Sequence, residues 1–361
     1  MKNIKLNKTN KANRIMAIDY LKAIAVILVI SNHSLTDKQQ LSIGSPFWIS
    51  MAVPIFMILS GYTNSMSAEK RKIKTFKQYF NKDLMKNRLS RLLLPYIIIF
   101  TVELFLVYII PVEFHAERTR ENVSILYLFF TGGVGAGSYY LPLLIQLLFL
   151  FPFMLFSFKK SPNVSTLLFV LIHLAFDVFS SFLPISNDLY RLLVFRYLAL
   201  IMMGIVMYYY KGKIGRKGKK ILLLLSSLSV LYIYMTNYTQ YKPEIFSKWT
   251  GTSLPTIFLA LLFTGLGMIY LEIKNTTKLT ELMSKIGRAS FHIFLVQKLY
   301  FSFTIKTIFS NFNIHPSLTS IISIVVCCSI GISFYYLESK FRKIIQKYRF
   351  KRKATLTLYI D

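Results

Sequence analysis

Long apolar runs alternate along this chain with short polar or basic segments. Ten such runs stand at about 14–34, 43–65, 89–112, 138–158, 164–183, 189–210, 220–237, 251–272, 288–310 and 316–338. A helix rises ~1.5 Å per residue, so the ~30 Å hydrocarbon core of a bilayer needs ~20 apolar residues, close to the length of each run. The pattern predicts an all-α, polytopic integral membrane protein with about ten transmembrane helices. The run at 220–237 is the shortest. The basic stretch ahead of the third run reads as an amphipathic surface helix.

A single transmembrane domain is expected over 14–338, between a basic tail at 1–13 and another at 339–361. The segment at 112–137 mixes acidic and basic residues and ends in a glycine-rich stretch from Gly132 to Gly137. It is too short to fold alone. No internal repeat of the kind built into many transporters is visible.

Composition agrees. The chain is 54% hydrophobic and 16% charged, against about 25% charged in a soluble domain. Its net charge of +29 would suit a nucleic-acid binder if the cations formed one basic face with stacking aromatics. They fall instead in the gaps between apolar runs, which excludes nucleic acid as the expected partner. With the N-terminus inside, 34 Lys and Arg lie in cytoplasmic segments and 7 in outer ones, and Lys22, Arg196 and Lys298 lie within runs. That asymmetry places both termini in the cytoplasm. The first run lacks a small-residue cleavage site and reads as a retained helix. Cys327 and Cys328 are adjacent in an apolar run and read as small packing residues, without disulfide or metal spacing.

Ionisable residues inside a bilayer are costly and mark candidate sites. The first run carries Asp19, Lys22 and His33. Lys22 and His33 are eleven residues apart, so they share one helix face and stand ~16 Å apart along the axis. Snorkelling of Lys22 and a hydrogen-bonded helix-end histidine are the plain alternatives. Asp177 and Arg196 sit at similar depth in neighbouring runs and are expected to form an ion pair. Glu103 either lines an acceptor channel or is a buried partner. His173 and His292 read as packed histidines, and His115 and His315 as solvated ones. No His or carboxylate set has metal-ligand spacing. Tyr208–Tyr210 reads as an interfacial aromatic belt, and the basic stretch 340–353 as a contact for anionic lipids.

Several segments in order along the chain resemble one family. Asp19-Tyr-Leu21-Lys22-Ala23-Ile-Ala25, followed by apolar residues and His33, is similar to the opening of the membrane-bound acyltransferase 3 family. That family usually has Arg and Gly where Lys22 and Ala23 stand. Pro54-Ile-Phe-Met-Ile-Leu-Ser60-Gly61-Tyr62, Arg88-Leu-Ser-Arg91-Leu-Leu-Leu-Pro95, Ser138-Tyr139-Tyr140-Leu141-Pro142 (without the family's Trp) and Gly287-Arg-Ala-Ser290-Phe-His-Ile-Phe294-Leu295-Val-Gln297 resemble further family segments. Gln297 stands where a His is frequent.

The resemblance implies a bacterial plasma-membrane enzyme that moves an acetyl group from acetyl-coenzyme A, a co-substrate, to a hydroxyl of a cell-surface or exported glycan. His33, with Asp19 and Ser60, is then the catalytic group, and His33 acts as general base. Lys22, Arg88 and Arg91 are suited to the donor's phosphates. Tyr139, Gln297 and Glu103 are placed at the substrate. Ser60, Asn32 and Tyr139 are the candidate donors to the oxyanion. A covalent acyl-His33 route stands beside direct attack, which is preferred. The expected partners are a glycan or lipid-linked sugar, membrane lipids, and a second copy or other envelope-biosynthesis proteins. A polysaccharide or lipid-linked sugar exporter or flippase suits the same spans, but would not need His33 at its fixed offset from Lys22. An inactive or regulatory homologue is the third reading.

Overall fold

The computed structural model describes residues 15–109, 124–213, 215–241, 243, 246–249, 253–272, 277–303 and 316–357, and is helical with no strand among them. His115, His315 and the tail at 1–13 lie outside the described residues. Seven segments are long and apolar enough to cross a membrane. They are α1 (Met16–Ser34), the stretch Ser45–Lys70, α6 (Lys82–Ile109), α8 (Tyr140–Lys160), α9 (Pro162–Phe182), α12 (Arg216–Tyr238) and Ser317–Ile344 of α15 (Pro316–Thr357). The second stretch comprises α3 (Ser45–Trp48), a 3-10 turn and α4 (Ala52–Lys70).

Three further helices coincide with the remaining expected runs. α11 (Leu198–Tyr209) and α13 (Ile257–Tyr270) are short and apolar. α14 (Lys278–Ser302) has 25 residues but carries Lys278, Glu281, Lys285, Arg288 and Lys298 along its length. Short helices α2 (Asp37–Ser42), α5 (Phe76–Tyr79), α7 (Ile125–Phe130) and α10 (Asn187–Leu192) lie in the connections. Among the described residues, seven segments thus meet the length and composition of a span, and the other three helices are shorter or more charged.

One expectation is corrected. The basic stretch before the third run is not a surface helix. α4 continues to Lys70, Lys72 turns the chain at φ 54°, α5 makes one turn, and α6 already begins at Lys82. Phe76 of α5 packs its ring on Phe153 and Phe156 of α8, which docks this connection on the bundle. α15 continues unbroken to Thr357, so the basic stretch that follows the last apolar run extends the same helix.

The centre of the bundle is α1, packed against α14, α4, α15 and α13. Contacts along it fix direction. Near the start of α1 the backbone of Asp19 meets Gly287 of α14, and near its end His33 lies 5.9 Å from Phe301 of α14. The two helices are therefore parallel. α15 runs opposite to them: Ser34 donates to Ser320 at 2.8 Å, while Glu338 reaches His292 at 3.6 Å. α4 and α11 are parallel, with Gly61 against Ile201 and Glu69 accepting from Tyr209 at 2.6 Å. One end of the bundle, here the basic end, therefore holds Asp19, Lys70, Lys82, Lys159 and Tyr209, and the other holds His33, Tyr140 and Ser320.

The outer helices turn apolar side chains away from the bundle. Phe105 and Tyr108 on α6, Val164 and Phe182 on α9, and Leu223 and Leu224 on α12 are all exposed. A soluble monomer rarely shows so much contiguous apolar surface. Here it is the surface that faces lipid, and the chain is a multi-pass membrane protein.

Small residues let α4 and α11 touch. A Cβ on Gly61 would collide with the carbonyl of Ile201, and one on Gly204 with the carbonyl of Ile58. Such close crossings are a main source of helix association in lipid. Gly265 of α13, by contrast, has open space around it. Gly61→Ala is expected to cost about 2 kcal/mol through overpacking, and Gly265→Ala to be neutral or to gain up to ~1 kcal/mol from helix propensity. Thermal unfolding of the two variants in lipid discs checks this; equal effects would contradict the assigned crossing.

Candidate active site

α1 begins at the basic end and delivers its last turn to the opposite end. Val29, Asn32 and His33 there face a cavity of about 880 Å³. This is large enough for a small-molecule or saccharide site. The facing wall is the loop between α7 and α8, from Gly133 to Tyr139. α10 and the turn before α11 close a third side with Asp188, Arg191, Arg196 and Tyr197, and Phe294 and Phe301 of α14 close the fourth. Asp37 and Gln40 of α2 stand at the rim. His33 is half-buried.

The glycine loop keeps its shape through backbone that only glycine adopts readily. Gly132, Gly133, Gly135 and Gly137 all have φ between 84° and 99°. At Gly133 a side chain would collide with the Glu103 carboxylate and the Lys298 ammonium, and at Gly135 with the Ser302 hydroxyl. The loop therefore lies directly on α6 and α14, and much of the wall it gives the cavity is bare peptide.

The break between α10 and α11 is held by Gln146 of α8. Its amide nitrogen donates to Leu192 O at 2.9 Å and its amide oxygen accepts from Val194 N at 3.0 Å. Arg196 follows in a 3-10 turn and is buried, with its guanidinium 4.7 Å from the Tyr190 ring and 5.4 Å from the Tyr197 ring. The expected Asp177–Arg196 ion pair is replaced by a tyrosine bridge. The Asp177 carboxylate accepts from the Tyr190 hydroxyl at 2.7 Å and from Trp249 Nε1 at 2.9 Å, and it meets His173 Nε2 at 3.3 Å. Tyr190 thus hydrogen-bonds the acid and carries the arginine on its ring, so neither charge needs the other directly. His173 is a buried member of this cluster, as expected for a packed histidine.

The expected site residues divide into three groups. His33, Asn32 and Tyr139 line the cavity together. Asp19 is on the same helix but fourteen residues earlier, ~21 Å away along the axis, so it does not share the cavity with His33. Lys22 is likewise about three turns from it. Ser60, placed in the catalytic group, is not in the cavity lining: its hydroxyl donates to Phe56 O at 2.8 Å, the back-bond a helical serine makes one turn up. Glu103, placed at the substrate, is fully buried behind the loop. One carboxylate oxygen accepts from Lys298 Nζ at 2.8 Å, the other from Val134 N at 2.9 Å. Sequence reasoning missed Asp188, Arg191 and Gln40 at the cavity and Lys298 behind it. Lys298, as the one lysine deep in its run, carried the signal; the others had none until the fold closed.

At the basic end, Arg88 stacks 4.1 Å over the ring of Tyr79. Tyr79 is fully buried, and burial pushes its phenol up to about 12. Both terminal nitrogens of Arg88 and the Tyr79 hydroxyl are buried without a hydrogen-bond partner among the described residues. Arg91 is exposed one turn further on, and its carbonyl accepts from Arg342 of α15 at 3.4 Å. This is an arrangement that can receive an anion.

The helical bundle thus carries a cavity lined by His33 at one end, and Arg88 with Arg91 at the other. The chain belongs to the acyltransferase 3 family: the family profile described as an acyltransferase domain matches residues 15–337. Its class is therefore that of a membrane acyltransferase. No curated protein and no solved structure matches the chain.

Gln297 gives a separate test. It is fully buried one turn from both Phe294 and Phe301, close to Gly137, and neither end of its amide has a partner among the described residues. An unsatisfied buried amide costs ~1–3 kcal/mol, so it is kept for a ligand or for water. Gln297→Leu is expected to raise stability by about 1 kcal/mol and to lower turnover. Unfolding and initial rates on one disc preparation check both signs; a destabilised variant would mean that the amide is satisfied within the fold.

Proposed function

We propose that this acyltransferase moves an acetyl group from acetyl-coenzyme A to a hydroxyl of a cell-surface or exported glycan, with His33 as general base. The observation that carries the reading is the cavity: His33, Asn32 and Tyr139 line one polar and aromatic pocket of saccharide size at the end remote from Arg88 and Arg91. The excess of Lys and Arg at the basic end supports a cytoplasmic placement for that end and for both termini, with ten crossings of a bacterial plasma membrane.

The donor's phosphates dock at the basic end on Arg88 and Arg91, with Lys22 adding charge. Arginine forks suit phosphate oxygens bidentately, while Lys22 supplies a point charge. The thin pantetheine arm is the part of the donor that can follow the α1 face from Lys22 toward His33. The acceptor enters the cavity from the other end.

Neutral His33 takes the proton of the acceptor hydroxyl as its oxygen attacks the thioester carbonyl. Asn32, Tyr139 and Arg196 are the donors that line the cavity and can receive the oxyanion. The carbon–sulfur bond then breaks, His33 returns the proton to the leaving thiolate, and an O-acetyl ester and free coenzyme A result. An acyl-His33 step would need the imidazole itself to attack. Direct attack is preferred because the cavity holds room for the acceptor beside the histidine.

Turnover in discs with radiolabelled acetyl-coenzyme A and a panel of envelope glycans tests this reading. His33→Ala is expected to lose ~10²–10⁴-fold in kcat, the usual worth of a general base, with the donor KM little changed. Glycan flux without acetyl transfer by folded native protein would contradict the proposal and favour the exporter.

The donor side makes the opposite prediction. Tyr79 supports Arg88 by a cation–π contact of ~0.5–2 kcal/mol. Tyr79→Leu is therefore expected to raise the donor KM ~2–30-fold at nearly constant kcat. A fall in kcat alone would show that Arg88 does not hold the donor.

A further inference from the structure

The cavity wall opposite α1 is a glycine-rich loop, and this loop together with the end of α7 before it is anchored by four polar contacts from two helices. From α6, the Tyr96 hydroxyl donates to Phe129 O at 2.7 Å and the Glu103 carboxylate accepts from Val134 N at 2.9 Å. From α14, Lys298 Nζ donates to Gly132 O at 2.7 Å and the Ser302 hydroxyl donates to Val134 O at 3.3 Å. Lys298 and Glu103 are themselves joined at 2.8 Å, and both are buried to within 1%. A lysine and a glutamate sunk this deep in a bundle are expensive to desolvate. An apolar pair would fill the same space without that cost, but it would leave the Val134 N–H and the Gly132 carbonyl without partners.

We propose that Glu103 and Lys298 are positioning residues: a buried charge pair that clasps the loop Gly132–Val134 and so sets the shape of the acceptor wall facing His33. Each charge does two jobs. The carboxylate neutralises the ammonium with one oxygen and receives the loop's N–H with the other. The ammonium does the same with the loop's carbonyl. Neither residue touches the acceptor. The loop they hold supplies Gly133 through Tyr139 to the cavity, including Tyr139, whose neighbour Tyr140 packs 4.6 Å from Phe294. The functional meaning of the clasp rests on the acceptor occupying this cavity, whereas the clasp itself does not.

The test reads the loop without turnover. Ala136, which lines the cavity, is replaced by Cys in a Cys327→Ala, Cys328→Ala background, and its labelling by a charged maleimide is timed in lipid discs. The decisive variant is the charge swap Glu103→Lys with Lys298→Glu. It keeps an ion pair, but sets an ammonium against the Val134 N–H and a carboxylate against the Gly132 carbonyl. Labelling is expected to rise about tenfold if the clasp holds the loop. A swap that labels at the parent rate would mean that the pair serves only to neutralise itself, and would overturn the proposal.

Ser302→Ala, which removes the Val134 O contact and no charge, guards against a swap that does not fold. It is expected to label two- to fivefold faster, and an unchanged rate there counts against the clasp. Acetyl-coenzyme A affinity, measured on the same discs by tritiated-ligand filtration, is expected to stay within twofold in Ser302→Ala, because the basic end is untouched. A parallel loss of donor binding would show a general loosening and would also overturn the proposal. Failure of the glycan-transfer reading would leave the labelling result standing.

Discussion

The parallel contact between α1 and α14 is the constraint on which the site depends. At the basic end the backbone of Asp19 lies where a side chain on Gly287 would have to be, and at the other end the His33 ring lies against Phe301. Two helices in contact at both ends leave little freedom in depth or rotation for the residues between them. In a bilayer such contacts gain little from the hydrophobic effect, since lipid is as apolar as leucine, and close packing of small residues carries more of the association. Gly331 of α15 meets the backbone of Ile293 in the same manner. The backbone approach at one end and the Phe301 contact at the other therefore fix the depth and rotation of the helix that carries His33.

The remaining charges follow the rule that polar groups within a bilayer are satisfied inside the protein. They form separate clusters, each tying a connection to the bundle. Glu69, Lys159 and Tyr209 join α4, α8 and α11 at the basic end. Asp177, Tyr190, Trp249 and His173 hold the α10 segment and the stretch before α13 onto α9. Glu103 and Lys298 hold the glycine loop. The two clusters remote from the basic end flank the cavity, so its walls are fixed by polar clasps while its floor is fixed by helix packing.

Much of this was legible in the chain. The all-helical, membrane-spanning character was visible in the apolar runs, and Lys22 and His33 do lie on one continuous helix, because helix formation is a matter of local periodicity. What could not be read was which polar residues meet across helices. Asp177 and Arg196 were paired by depth alone, yet a tyrosine from α10 took the place between them. Ser60 looked catalytic in its segment but turned its hydroxyl to its own backbone, a choice that neighbours in space decide. Glu103 was left between two roles because its partner, Lys298, is 195 residues away. The start of α6 was misjudged because Lys82–Arg91 is too polar for a span, although a helix can protrude from the membrane before it enters.

The central claim is that donor and acceptor reach His33 from opposite ends. A cryo-electron microscopy map of the protein in lipid discs with a non-transferable thioether analogue of acetyl-coenzyme A tests it directly. The account predicts nucleotide density at Arg88 and Arg91, with the acyl end within ~3–3.5 Å of the His33 imidazole. Nucleotide density inside the 880 Å³ cavity, or an acyl end that stops away from His33, would contradict it.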